Sequence, residues 1–304
     1  MALGSDVAIA EHPQFFPAGD ESLFGVISTP VGGSASPAVI VLGGGGTTPT
    51  ATGRNRFYVE FSRRMSSLGY PAFRFDYHGV GDSTGSSEFR LDRPFVEDLE
   101  GATDRMREQG FSEYLLVGMC FGARTALSAA SQLAGLRGLV LLAPPLRDYA
   151  LSERKTSGWR LRDYVRAAFD PRQLLGPTEK LTVRRYVRFV VAGSRVVTRR
   201  LRARLHGRGQ ELSWVSDRFL SPLLTLANRS VPMLLLYGTE DEEYQDFQSA
   251  QAAGFGEVLA RCPTIEPRAL DGQVHGFTRV ESQVRTMDVV IEWIRRVAPP
   301  DRST

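Results

Sequence analysis

Short, wholly apolar runs alternate along the chain with longer stretches whose apolar residues recur every three or four positions. The first clear run is Ala38-Val39-Ile40-Val41-Leu42, which stops at four consecutive glycines, Gly43 to Gly46. Phe57, Phe61, Met65 and Leu68 follow at the spacing of one helix face and predict a helix over 54–68. The pattern then predicts a strand at 72–75, a helix over 93–109, a strand at 114–118, a helix over 123–133 and a strand at 138–142. Strands that are apolar at every position need cover on both faces, so the alternation predicts a mostly parallel sheet flanked by helices.

The alternation stops after Ala143-Pro144-Pro145, and the next strand run is Val231 to Tyr237. Between them lie helical patterns cut by Gly158, Pro171, Gly176-Pro177, Gly207 and Gly209. Val183, Val187, Val190, Val191 and Val197 form an apolar stripe between arginines. We expect an all-helical lid over 145–230, inserted between a first core part, 1–144, and a second, 231–304. The second part holds a strand at 265–270 and a closing helix at 282–297.

A chain of 304 residues, 42% apolar and 23% charged, falls in the globular class. No apolar run approaches the roughly 18 residues of a membrane span, and the N-terminus lacks the pattern of a signal peptide, so a cytoplasmic protein is expected. Charge divides the chain unevenly. Between Pro145 and Ser230 there are 19 Lys/Arg against seven Asp/Glu, a net +12, so that with +3 overall the remainder carries −9. Basic helices also occur in nucleic-acid binders, but neither aromatic interleaving nor a binding motif supports that class here.

The two cysteines, Cys120 and Cys262, make no disulfide framework, no zinc-binding Cys/His spacing is present, and no cofactor is implied. Cys262 ends an expected helix and reads as passive. Cys120 sits in Gly118-Met119-Cys120-Phe121-Gly122, directly after an apolar strand and before a helix. A nucleophile on a sharp strand-to-helix turn needs small neighbours, and a thiol at a helix N-terminus with a histidine in reach gains thiolate character. His275, in Val274-His275-Gly276-Phe277, follows the last strand and is the expected base; His78, in a turn after a strand, reads as part of a wall. Two residues compete for the acid that orients the base. Asp241 stands three residues beyond Gly238 beside the acidic Glu240, Glu242 and Glu243, and Asp148 follows the strand after the cysteine helix. An oxyanion would be held by the Phe121 backbone N–H and one from the glycine loop, at Gly44 or Gly45.

Together with Asp76-Tyr77-His78-Gly79-Val80-Gly81-Asp82-Ser83, these motifs resemble the α/β-hydrolase superfamily over nearly the whole chain. A cysteine in the elbow is similar to dienelactone hydrolases, bile-acid-type acyltransferases, exosortase-associated hydrolases and the Dieckmann cyclases of tetramate and pyridone biosynthesis. The last resemblance implies a Cys-Asp-His triad with Asp148 as its acid. It also implies an acyl thioester substrate on an acyl or peptidyl carrier protein, whose acidic surface and phosphopantetheine phosphate would suit the basic segment. Hydrolysis or transfer to another acceptor is the alternative fate of the acyl group, and a non-catalytic carrier-binding scaffold is the alternative from another class.

Overall fold

The computed structural model describes residues 8–34, 36–45, 51–148 and 215–300. Eight strands, β1 (Ile9–Ala18), β2 (Glu21–Pro30), β3 (Ala38–Leu42), β4 (Ala72–Phe75), β5 (Tyr114–Met119), β6 (Leu136–Leu142), β7 (Met233–Gly238) and β8 (Ile265–Leu270), form one sheet. Their order is β1-β2-β4-β3-β5-β6-β7-β8, antiparallel through β1, β2 and β4 and parallel from β4 onward. The helices are α1 (Phe57–Ser67), α2 (Val96–Glu108), α3 (Phe121–Ala130), α4 (Asp217–Asn228), α5 (Glu242–Ala250), α6 (Gly256–Ala260) and α7 (Val280–Val297). The alternation predicted this mostly parallel sheet flanked by helices, and the resemblance of the motifs implied its α/β-hydrolase fold.

Strand alternation distributes the core between two faces. Ile40 and Leu42 of β3 join Leu116, Leu139 and Leu141 beneath α2, α3, α4 and α5. Val39 and Val41 join Val117, Val140, Leu234 and Leu236 beneath α1 and α7, whose Phe57, Phe61, Met65, Trp293 and Ile294 fill the other side. Both faces are covered, which is why β3 and β7 are almost wholly apolar along their length.

Two elements differ from the sequence expectation. The hairpin β1–β2 left no clear alternation, because β1 is an edge strand interrupted by Pro13 and Pro17 and only partly buried. The first helix begins at Phe57 rather than Arg54, since Arg54–Arg56 is a short turn in which Asn55 and Arg56 have φ of 50° and 60°. That turn is occupied elsewhere: the Arg54 guanidinium donates to the Gly276 carbonyl at 3.0 Å and the Asn55 amide to the Phe277 carbonyl at 2.8 Å.

The chain divides into two compact units, Met1–Leu151 with Trp214–Thr304, and Ser152–Ser213. The second unit, and the helices expected between 149 and 214, lie outside the described residues. Helix α4 falls within the expected lid range 145–230 but belongs to the first unit, where Phe219, Leu223 and Leu226 are buried in the sheet's core. An amphipathic helix joining two parallel strands has the same apolar pattern as a lid helix, so periodicity alone could not separate them. Among the described residues no helix is long and apolar enough to cross a membrane.

Candidate active site

Cys120 occupies the turn between β5 and α3 with φ 49° and ψ −110°, a strained conformation for a residue with a Cβ. The two glycines beside it are required by close approach. A Cβ on Gly118 would stand 2.4 Å from the Gly122 carbonyl oxygen, and one on Gly122 would stand 2.3 Å from that of Leu42. The Cys120 N–H donates to the Leu142 carbonyl of β6 at 2.9 Å, and its carbonyl accepts from Ala123 and Arg124. Its thiol is thus fixed at the N-terminus of α3, where the first N–H groups, Phe121's among them, have no acceptor within the helix.

His275 comes to this turn on the loop after β8. Four side chains hold the loop: Arg54 and Asn55 by hydrogen bonds, Phe57 by stacking on Phe277 at 4.3 Å, and Asp241 through its carboxylate. Asp241 Oδ2 accepts from the backbone N–H groups of Gly238, Val274 and His275 at 3.2, 2.8 and 2.9 Å. Although Asp241 caps α5, its side chain makes no bond to its own helix and turns to the histidine loop.

The acid facing the His275 ring is neither expected aspartate. Glu243 Oε1 lies 3.4 Å from His275 Nδ1, and the Glu243 side chain is buried. One ligand atom each from Cys120, Glu243 and His275 lie within 4.8 Å of one another, a compact triangle. Burial alone would drive the His275 imidazolium toward deprotonation. Charge and hydrogen-bond contributions from Cys120 and then Glu243 more than offset it, and the pKa is pushed up to about 10. The arrangement favours a proton on the His275 ring. Burial raises the Asp241 pKa, against the two N–H groups of the histidine loop.

Asp148 is engaged elsewhere; the carboxylate beside the imidazole is that of Glu243, while Asp241 holds the backbone of the histidine loop. Asp148 Oδ1 pairs at 2.5 Å with Arg124, an α3 guanidinium that is almost wholly buried, donates to the Pro145 and Leu91 carbonyls and lies over the Phe219 ring. Asp148 Oδ2 accepts from the Ser216 hydroxyl at 2.6 Å. In sequence Glu243 is one of three glutamates flanking Asp241, and the other two, Glu240 and Glu242, are exposed. A helix starting at Glu242 puts Glu243 on one face with Phe247 and Ala250, all three buried, and that spacing was the available signal.

The oxyanion loop also differs in detail. The Gly44 N–H, one expected donor, is bonded at 3.0 Å to the hydroxyl of Tyr58, which itself donates to Met119 Sδ at 3.3 Å. Tyr77 donates to the Gly43 carbonyl at 3.1 Å. Two buried tyrosines therefore pin the loop beside Cys120, and burial holds the Tyr58 phenol well above its usual range. Of the two glycines expected to face an oxyanion, this leaves Gly45. His78 is paired through Nδ1 with the buried Asp98 at 2.8 Å and packs on Phe95.

The family model described as serine aminopeptidase, S33, matches residues 51–254, which include the elbow, Asp148, Asp241 and Glu243. The protein belongs to this α/β-hydrolase family. Where the family is named for a serine, this member carries Cys120. No curated protein matches the S33-family chain in sequence. Similar solved structures include an esterase of Pyrococcus furiosus (TM-score 0.57, 16% identity, 98% of this chain and 96% of that one). A haloalkane dehalogenase of Agrobacterium tumefaciens C58 has TM-score 0.55 and 17% identity, over 95% of this chain and 98% of that one. An esterase of Exiguobacterium antarcticum has TM-score 0.53 and 13% identity, over 93% and 100%. At these identities the likeness is one of fold.

Proposed function

We propose that this S33-family α/β-hydrolase is an acyl-transfer enzyme that forms a thioester on Cys120. The observation that carries the reading is the strained, buried Cys120 sharing His275 with Glu243, with the imidazole poised to hold a proton at neutral pH. The Cys120 thiolate attacks the donor carbonyl, and Phe121 and Gly45 backbone N–H groups receive the oxyanion. The intermediate collapses with loss of the donor thiol or alcohol, protonated by His275. When the donor is a thioester, the exchange is nearly balanced in energy, so cysteine suits transfer onward.

The acceptor we favour is a carbon of the same chain. Neutral His275 removes a proton from a carbon flanked by two carbonyl groups, the carbanion attacks the acyl-Cys120 carbonyl, and the Cys120 thiolate departs as the ring's C–C bond forms. This is a Dieckmann-type release, and a carrier-bound chain with an activated methylene is its substrate class. The net +12 between Pro145 and Ser230 supports an acidic carrier protein as the donor's bearer. Once Cys120 is acylated, its negative charge no longer supports the imidazolium. Glu243 is then the partner that keeps His275 basic enough for the second step.

Membership of a peptidase family favours a second reading, in which water takes the acyl group. Intact-mass measurement after exposure to acyl-pantetheine thioesters tests the shared first step: an adduct is expected on the parent and none on Cys120→Ala, and an unmodified parent sinks the proposal. Product analysis with a β-ketoacyl aminoacyl thioester divides the two fates. A cyclic product is expected, and free acid alone assigns the enzyme to hydrolysis.

A further inference from the structure

Cys120, Glu243 and His275 present one sulfur, one oxygen and one nitrogen within 4.8 Å of one another. A linear proton relay would separate the sulfur and the carboxylate by the full width of the imidazole, and the triangle is more compact than that. Ligand atoms around a tetrahedral zinc ion stand about 3.5 Å apart, given metal–ligand bonds of about 2.0–2.3 Å. The separations in the triangle, all within 4.8 Å, are of the order that such an ion spans. We propose that this triangle binds one Zn2+ ion and that the ion reversibly silences the elbow thiol.

Three further features support the site. The donor set of thiolate, imidazole and carboxylate matches zinc's preferences, and three protein ligands leave a fourth position for water. The charges balance, because a dication with one thiolate and one carboxylate leaves no net charge among side chains of which two are almost wholly buried. The ligands are already braced: Asp241 grips the backbone of His275, and the Cys120 backbone is held by Leu142 and α3. The His275 ring, 22% exposed, gives the approach from solvent. No spacing along the chain points to this site, because its ligands come from an elbow, a helix start and a loop.

Binding forms Zn–S, Zn–N and Zn–O bonds and displaces the one proton shared by Cys120 and His275 to solvent. The silencing of acyl transfer rests on the proposed role of Cys120, whereas binding itself does not.

Titration of the substrate-free protein with Co2+, followed by near-ultraviolet thiolate-to-metal charge transfer, tests binding apart from activity. One equivalent should develop the band in the parent and in Cys262→Ala, and Zn2+ should displace it. Cys120→Ala should show no band, with Cys120→Ser as a second variant of native circular dichroism, and Glu243→Gln should bind at least tenfold more weakly. A parent without the band, a band that survives in Cys120→Ala, or unchanged affinity in Glu243→Gln overturns the site. Failure here leaves the acyl-enzyme measurement untouched, and an absent acyl adduct leaves this titration readable.

Discussion

Glu243 Oε1 approaches His275 Nδ1 at 3.4 Å, while Asp241, two residues earlier, grips the backbone N–H of that same histidine at 2.9 Å. One carboxylate addresses the ring and the other the chain that carries it. Both are buried, and the charge of the first adds to the electrostatic cost of ionising the second. The division predicts different consequences for two conservative substitutions.

Glu243→Gln keeps the shape of the helix face and removes the charge beside the imidazole. We expect kcat to fall about 10²- to 10⁴-fold with little change in melting temperature. Single-turnover traces should place the greater loss in deacylation, where the thiolate no longer assists. Asp241→Asn should instead lower stability by about 1–3 kcal/mol, because its carboxylate serves three backbone donors. A fully active Glu243→Gln beside a stable but inactive Asp241→Asn would return the acid's role to Asp241.

The His275 pKa of about 10 lies above the ordinary 6.5, so its contribution to stability is complete below about 6.5 and is lost as pH rises through 10. Protonation of the leaving group follows the same sign, and acylation should decline above about pH 10. NMR titration of the His275 ring should show a midpoint that moves downward in both Cys120→Ala and Glu243→Gln. A midpoint near 6.5 in the parent would show that the two partners do not support the charge.

Tyr58→Phe removes the hydroxyl that accepts the Gly44 N–H and leaves the ring's packing. A freed loop should cost about tenfold in kcat at constant KM, since the oxyanion exists only along the reaction path. Tyr58 is a positioning residue on this argument. Lowered melting temperature with unchanged kcat would reduce it to packing.

Asp148→Ala removes the carboxylate paired with the buried Arg124 guanidinium. Because Asp148 is itself about one-quarter exposed, we expect a loss of about 2–3 kcal/mol, below the full cost of breaking a buried pair. Thermal unfolding checks this, and acyl-enzyme formation at a permissive temperature should persist. Loss of the adduct in a folded Asp148→Ala would give this residue a part in the chemistry.

The elements that carry the elbow were legible in order and type, since a strand buried on both faces is apolar at each position and a helix repeats within a few residues. Gly118 and Gly122 were legible for the same local reason: only a backbone without side chains passes through that turn. The edge hairpin was less so, because half-exposed strands with prolines leave a weak pattern. Helix α4 was legible as a helix but not in its place, because sequence does not say which body an apolar face will meet.

Which carboxylate faces the imidazole was decided at a finer scale. Asp241 and Glu243 stand two residues apart in one acidic run, and their chemistry in sequence is nearly the same. The start of α5 at Glu242 turns Glu243 inward with Phe247, and the N–H groups of the β8 loop capture Asp241. Those groups lie more than 30 residues away in the chain. A local pattern determines which residue stands at the turn and what chemistry it offers; which carboxylate reaches His275 depends on how two distant loops pack, and that was settled by the tertiary structure alone.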